Sequence, residues 1–195
     1  MRKGESTKRV ILDEAAEIAS KVGLQGLTIG TLATKTALSK SGLFAHFRSK
    51  ESLQLAVLQH ARTRFIDNVL RPAVAMPRGE PRVRELFERW LGWFRGDVLT
   101  GGCVFTAAAM ELDDQPGPVR DFLVADQRDL DDSVAQVFRT GISEGHFRAD
   151  ADPEQFAHDL LGVLLAYTHA YRLLKDPKAE ERARHAFEAL LTAAR

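Results

Sequence analysis

Apolar residues return at helical spacing through almost the whole chain. Ile11, Ala15, Ile18 and Val22 step by four, three and four, which puts them on one face of a helix. Ser6 or Thr7 is placed to cap its start, and Gly23 to close it in the left-handed region. Thr28 predicts a short helix with Ile29, Leu32 and Ala33 on one side. Ser39 predicts another, with Leu43 and Phe47 inward. Ser49 caps a longer helix and Glu51 lies in its first turn, where the helix dipole favours an acid.

Residues 71–81 (RPAVAMPRGEP) hold three prolines and a glycine, and read as a linker or bend. Residues 82 to about 97 are amphipathic and aromatic: Leu86, Phe87, Trp90, Trp93, Phe94. Gly101 and Gly102 break that run, and residues 103–112 read as a small apolar helix. Pro118 suits the first position of a long helix carrying Val119, Leu123, Leu130, Val134 and Val137, which Gly145 ends. Asp152-Pro153-Glu154-Gln155 predicts a capped start with Gln155 completing a capping box. The helix behind it, roughly 153–174, has two apolar stripes: Phe156, Leu160, Val163, Tyr167, Leu174, and Leu161, Leu164, Leu165, Thr168. Asp176-Pro177 repeats the start signal for a last helix with Ala183, Phe187, Leu190 and Ala194. No segment alternates as a strand would. The predicted class is all-α, with about nine helices.

Composition fits a folded chain: 195 residues, 45% hydrophobic and 28% charged. Lys+Arg and Asp+Glu both number 27, and the resulting zero argues at first against a polycation that coats nucleic acid. The zero is a sum of unlike parts. Residues 1–50 carry nine Lys/Arg against four Asp/Glu, a net of about +5, so the remainder is about −5.

Other chemistry is thin. One cysteine, Cys103, makes neither an intrachain disulfide nor a zinc site by itself. His158 and His169 stand eleven apart, not at ligand spacing, so no metal is expected. HExxH, GxSxG, P-loop and GxGxxG patterns are all missing, so no enzyme and no cofactor are expected. The leading MRKGESTKRV has no apolar stretch behind it, and no run of about 18 uncharged apolar residues follows. The expectation is a soluble, cytoplasmic protein with no membrane partner.

Residues 28–50, TIGTLATKTALSKSGLFAHFRSK, carry the chemistry. Two short helices separated by a few residues around 36–38 form a helix-turn-helix, whose second helix projects into a DNA major groove. Ser39, Lys40 and Ser41 lie at the end that enters the groove. Gly42 lets backbone and DNA approach closely, and His46 points outward if Leu43 and Phe47 point in. Thr28 and Lys50 sit at helix N-termini, where backbone N–H groups also attract phosphate. Arg2, Lys3, Lys8 and Arg9 suit either a DNA-binding arm or a plain solvated terminus.

Over about residues 9–57 the chain resembles the TetR family of bacterial transcriptional regulators. The resemblance rests on ILDEAAEIASKVGLQGLTIGTLA, then ALSKSGLFAHFRSKESL, then the fourth helix. It implies a DNA-binding homodimer on a near-palindromic operator, repressor-like, with a C-terminal body that binds a small-molecule effector. It places Thr28, Lys40, Ser41, Phe44, His46 and Lys50 against DNA. It also implies a DNA-binding domain over residues 1–50, linked by a helix over 50–70 to a ligand-binding and dimerisation domain within 51–195. The position of Phe44 is most often tyrosine in the family, and Phe44 cannot donate that hydroxyl to a phosphate. Gly42 offers nothing to a base edge. A second reading therefore stands: a helical ligand-binding or interaction module with weakened DNA recognition.

The candidate effector pocket is the aromatic set of the body: Trp90, Trp93, Phe94, Phe105, Phe122, Phe138, Tyr167 and Tyr171, with Cys103 and Met110. Each taken singly reads as core. Together they suit an apolar or aromatic effector. Cys103 reads as a plain buried thiol, since no cationic neighbour stabilises its thiolate. A helix apolar on two sides needs a second surface to cover it, so Leu161, Leu164 and Leu165, with Phe187, Leu190 and Leu191, are the candidate dimer interface.

Overall fold

The computed structural model describes residues 3–195, and side chains from Thr7 onward. Among the described residues the regular structure is entirely helical. α1 spans Lys3–Gly26, α2 Ile29–Thr36, α3 Lys40–His46, α4 Lys50–Phe65, α5 Arg71–Ala75, α6 Glu80–Arg95, α7 Val104–Leu112, α8 Pro118–Ser143, α9 Pro153–Thr168 and α10 Ala179–Ala194. A π turn at Ile66–Leu70 joins α4 to α5, and another at His169–Leu173 extends α9. Counted as continuous rods these are nine, as expected.

Two compact units result. The first holds the described residues up to Phe65 together with Gly96–Ala125. The second holds Ile66–Arg95 and Asp126–Arg195.

In the first unit α1 packs along α4 and α7, and α2 along α1 and α3. The buried face of α1 is not the one its larger residues mark. Ile11, Ala15, Ala16 and Ala19 are fully buried, whereas Ile18 is half-buried and Val22 is exposed. Alanines let another backbone approach closely, so the contact with α7 turns the helix toward its small face. At the end of that face Gly101 meets the Ser20 backbone and donates its N–H to Ser20 Oγ at 3.0 Å. Gly102 turns the chain in the left-handed region, with φ 86°.

Several predicted boundaries move. α1 begins at Lys3, ahead of the Ser6 or Thr7 cap. Arg71–Ala75 is helical, not linker, and the break falls between Ala75 and Glu80. Pro72 is the reason the sequence misleads. A proline ring collides with the carbonyl four residues earlier, and the π turn over Ile66–Leu70 widens the helix there. At α9 Asp152 caps as expected, accepting from the N–H groups of Glu154 and Gln155, but the Gln155 amide turns forward to Asp159 and no reciprocal box closes. α10 starts at Ala179, two residues beyond Pro177, with Asp176 accepting from the Lys178 N–H.

In the second unit α9 packs on α6 and α10. The aromatic face of α6 is buried as the spacing predicts. Phe87 stacks on Phe187 with centroids 4.0 Å apart, and Phe138 stacks on both Phe147 and Phe156. Across α6 and α10 runs a ladder of ion pairs: Arg195–Glu80–Arg84–Glu188, Arg184–Glu88, and Arg184–Glu180–Arg95. Arg195 holds the Glu80 carboxyl below its ordinary value, Arg184 does so for Glu180, and Arg84 for Glu188. Unfolding these carboxyls therefore takes up protons. Their contribution is whole above about pH 4.5 and is lost as the pH falls through the folded values. We expect urea midpoints that are flat from pH 5 to 8 and drop below about pH 4.5, with Arg195→Ala making the drop shallower.

Candidate nucleic-acid interface

The head is built from caps. Thr28 Oγ1 accepts the Thr31 N–H at 3.0 Å, and Thr31 Oγ1 accepts the Thr28 N–H at 3.2 Å, a reciprocal capping box at the start of α2. Ser39 Oγ accepts the Gly42 N–H at 3.0 Å and starts α3. Ser49 and Ser52 cap each other at the start of α4. Between α2 and α3, Ala37 adopts φ 54°, the left-handed step that turns one helix across the other.

Leu43 and Phe47 are buried, as predicted, and fix the roll of α3. Lys40, Ser41 and Phe44 are then exposed together, Phe44 at 51%. His46 is half-buried, with its ring tilted against Phe47 at 6.2 Å. The hydroxyls of Ser39 and Ser41 lie 3.1 Å apart, so one bonds the other while Ser39 also caps. Thr28 is exposed but committed to its capping box. Lys50 is exposed, and its Nζ donates to Gln25 O at 2.8 Å and Oε1 at 3.3 Å. Of the proposed basic arm, Lys8 and Arg9 lie on α1, with Lys8 Nζ 6.0 Å from the Phe47 ring centroid. Arg2 and the Lys3 side chain lie outside the described residues.

Gln25 was not among the predicted site residues. Its partners are Lys50 on one side and Glu111 and Gln115 on the other, 25 to 90 residues away in sequence. No local pattern marks such a junction. Gly23 was the only hint, as a break two residues before it.

The predicted effector residues divide. Cys103, Phe105, Met110 and Phe122 belong to the first unit and the other six to the second. Trp90, Trp93, Phe94, Phe105, Phe138 and Tyr167 are buried, and Cys103, Phe122 and Tyr171 are half-buried. Met110 is 72% exposed and lines no interior, because α7 turns Phe105, Ala108 and Leu112 inward instead. Tyr167 stacks on Tyr171 at 5.3 Å. The second unit has surface cavities of about 430, 530 and 260 Å³. Among the residues lining these three, only Tyr167 belongs to the predicted set.

The predicted dimer residues also divide. Leu164, Phe187 and Leu191 are buried inside the second unit, since α9 turns Phe156, Leu160, Leu164 and Tyr167 to the core. Leu161, Leu165 and Leu190 are half-buried. Leu174, expected in the core stripe, is 62% exposed because the π turn ends the stripe before it. Beside them the 430 Å³ groove runs between α9 and α10, lined by Gly162, Val163, Ala166, Ala170, Ala183 and Ala186 among others. No group of three or more His, Cys, Asp or Glu that could hold a metal ion is found among the described residues, and no helix there is long and apolar enough to cross a membrane.

Residues 11–57 match the family described as bacterial regulatory proteins, tetR family, and residues 79–187 match the tetracyclin repressor-like C-terminal domain. No curated protein matches the chain. Among solved structures, a TetR transcriptional regulator from Chloroflexus aurantiacus is 24% identical with TM-score 0.86, covering 98% of this chain and 96% of that one. SCO4454, a TetR-family regulator from Streptomyces coelicolor, is 22% identical with TM-score 0.79, covering 97% and 96%. AibR, solved with isovaleryl coenzyme A and operator DNA, is 22% identical with TM-score 0.72, covering 92% and 95%. The C-terminal match alone spans more than half the sequence, and the helix-turn-helix lies inside the N-terminal one: the chain belongs to the TetR family of bacterial transcriptional regulators.

Proposed function

We propose that this regulator is a repressor that binds a near-palindromic operator as a homodimer and is released by a small apolar or aromatic effector. The observation that carries it is α3. Leu43 and Phe47 lock the helix, and Lys40, Ser41 and Phe44 stand out from it together. Lys40 is the base-edge donor, Ser41 a second polar contact, and Phe44 packs on a sugar or thymine methyl. Thr28 and Lys50 hold phosphates, and His46 flanks them. Residues 1–50 act as the DNA-binding domain, and residues 51–195 hold effector and partner. The dimer surface is Leu161, Leu165 and Leu190 with the small-residue groove beside them. The buried aromatics of the second unit supply the effector's apolar surroundings. AibR, with its acyl coenzyme A and operator, is an example of both ligands on one such fold. The effector switches nothing unless it binds one state of the dimer more tightly. The protein works in the cytoplasm and catalyses no reaction.

A gel shift against the DNA upstream of the chain's own gene tests this. Lys40→Ala is expected to change sequence preference by about 1–3 kcal/mol at one base pair. Lys50→Ala is expected to weaken all sequences alike and to lower the salt slope by about one. The second reading, a module with weakened DNA recognition, is favoured by Phe44 and by a Ser39 hydroxyl used in capping. It is supported instead if a dimeric preparation retards no fragment at low salt.

A further inference from the structure

We propose that Glu111 and Gln25 are positioning residues for the phosphate contact of Lys50. The inference rests on the DNA-binding reading above. It starts at Gly23, where α1 breaks with φ 75° and ψ 172°. A Cβ at Gly23 would overlap the Glu111 carboxylate, so the missing side chain makes the notch in which that carboxylate sits. From there Glu111 Oε2 accepts the Gln25 N–H at 3.0 Å. The Gln25 amide donates to Gln115 Oε1 at 3.1 Å, and the Gln115 amide donates back to Glu111 O at 2.7 Å.

Gln25 is thus held through its backbone by Glu111 on α7 and through its side chain by Gln115 just beyond α7. Its two oxygens in turn accept from Lys50 Nζ. An ammonium has three donors, so fixing two sets the direction of the third. A lysine already held loses less rotamer freedom when it takes a phosphate. The end of α1 past Gly23 is also pinned from α4, where the buried Gln54 amide donates to Leu24 O at 3.0 Å.

The approach to α7 is tied down in the same way. The Thr100 N–H and hydroxyl both donate to Glu17, and the Gly101 N–H donates to Ser20. α7 lies within the stretch that matches the regulator C-terminal domain, yet it belongs to the same compact unit as the helix-turn-helix.

A double-mutant cycle on the full-length protein tests it, read by fluorescence anisotropy on a duplex that the wild type selects from a random pool. Glu111→Ala is expected to weaken binding by about 3- to 10-fold and to lower the salt slope toward that of Lys50→Ala. In a Lys50→Ala background the same change is expected to alter affinity by less than about twofold. Glu111→Gln, which keeps an acceptor for the Gln25 N–H, is expected to bind like wild type. Thermal melts of each variant confirm that the fold is retained. Equal loss in both backgrounds, no loss in either, or Lys50→Ala binding as wild type overturns the proposal. A wild type that selects no DNA refutes the DNA-binding reading along with it. A wild type that binds, with Lys50→Ala weakened and Glu111→Ala unchanged, refutes the positioning role alone.

Discussion

Gly101→Ala is expected to destabilise the first unit by about 3–4 kcal/mol, one of the largest effects of any single methyl in this chain. A Cβ at this position falls inside the carbonyl carbon and oxygen of Ser20, which is backbone at the buried end of α1. Backbone cannot swing aside as a side chain can. Relief requires α1 and the approach to α7 to separate, which exposes the alanine face and strains the bond from the Gly101 N–H to Ser20 Oγ. Thermal melting followed by circular dichroism should show the midpoint falling by about 10 °C or more. Gly30→Ala is the matched control in the same unit. Its Cβ would stand 3.6 Å from Thr28 Oγ1, an ordinary contact, on a helical residue. That change should stabilise by about 0.5–1 kcal/mol. Equal midpoints for the two variants would mean that α1 does not approach Gly101 as closely as described.

Phe187→Ala should cost about 3–5 kcal/mol. The ring is 2% exposed and lies flat on Phe87 at an interplanar angle of 7°. Removing it leaves a hole between α6 and α10 that two rigid helices cannot collapse to fill. The ion pairs that join the same helices do not compensate. Arg84, Glu188, Arg184 and Glu88 are each 39–51% exposed, and pairs of that kind are worth about 0–1 kcal/mol. Urea unfolding should show a lower midpoint at unchanged slope. Glu88→Ala should move the midpoint by much less. If the two variants lose equally, the charge ladder and not the aromatic stack holds α10.

The helix-turn-helix was the most legible part of the chain, because its signals are local. Thr28, Ser39 and Ser49 act as caps where their side chains predict caps, and Leu43 and Phe47 are buried where the spacing predicts. The errors fall where a distant segment decides. The face of α1 follows the approach of Gly101, about eighty residues downstream, so Val22 is outside and three alanines are inside. Met110 reads as apolar lining, but α7 turns Phe105, Ala108 and Leu112 inward and leaves it in solvent. Pro72 reads as a stop and is absorbed by a π turn. Leu164, Phe187 and Leu191 read as a partner face and are claimed by the chain's own core, where α9 packs on α6 and α10. Glu111 and Gln25 had no signal beyond the break at Gly23. A single hydrogen-bonded junction between residues 86 apart leaves no periodicity.

Selection from a random duplex pool shows whether α3 reads DNA. A homodimer that reads DNA through α3 should enrich a near-palindrome whose half-site centres lie one helical turn apart, about 34–36 Å. Affinity for the enriched site should fall linearly with the logarithm of salt, and Lys40→Ala should change the enriched base identities while Lys50→Ala leaves them alone. No enrichment at low salt from a dimeric preparation, or an enriched site that Lys40→Ala leaves unchanged, would contradict that reading.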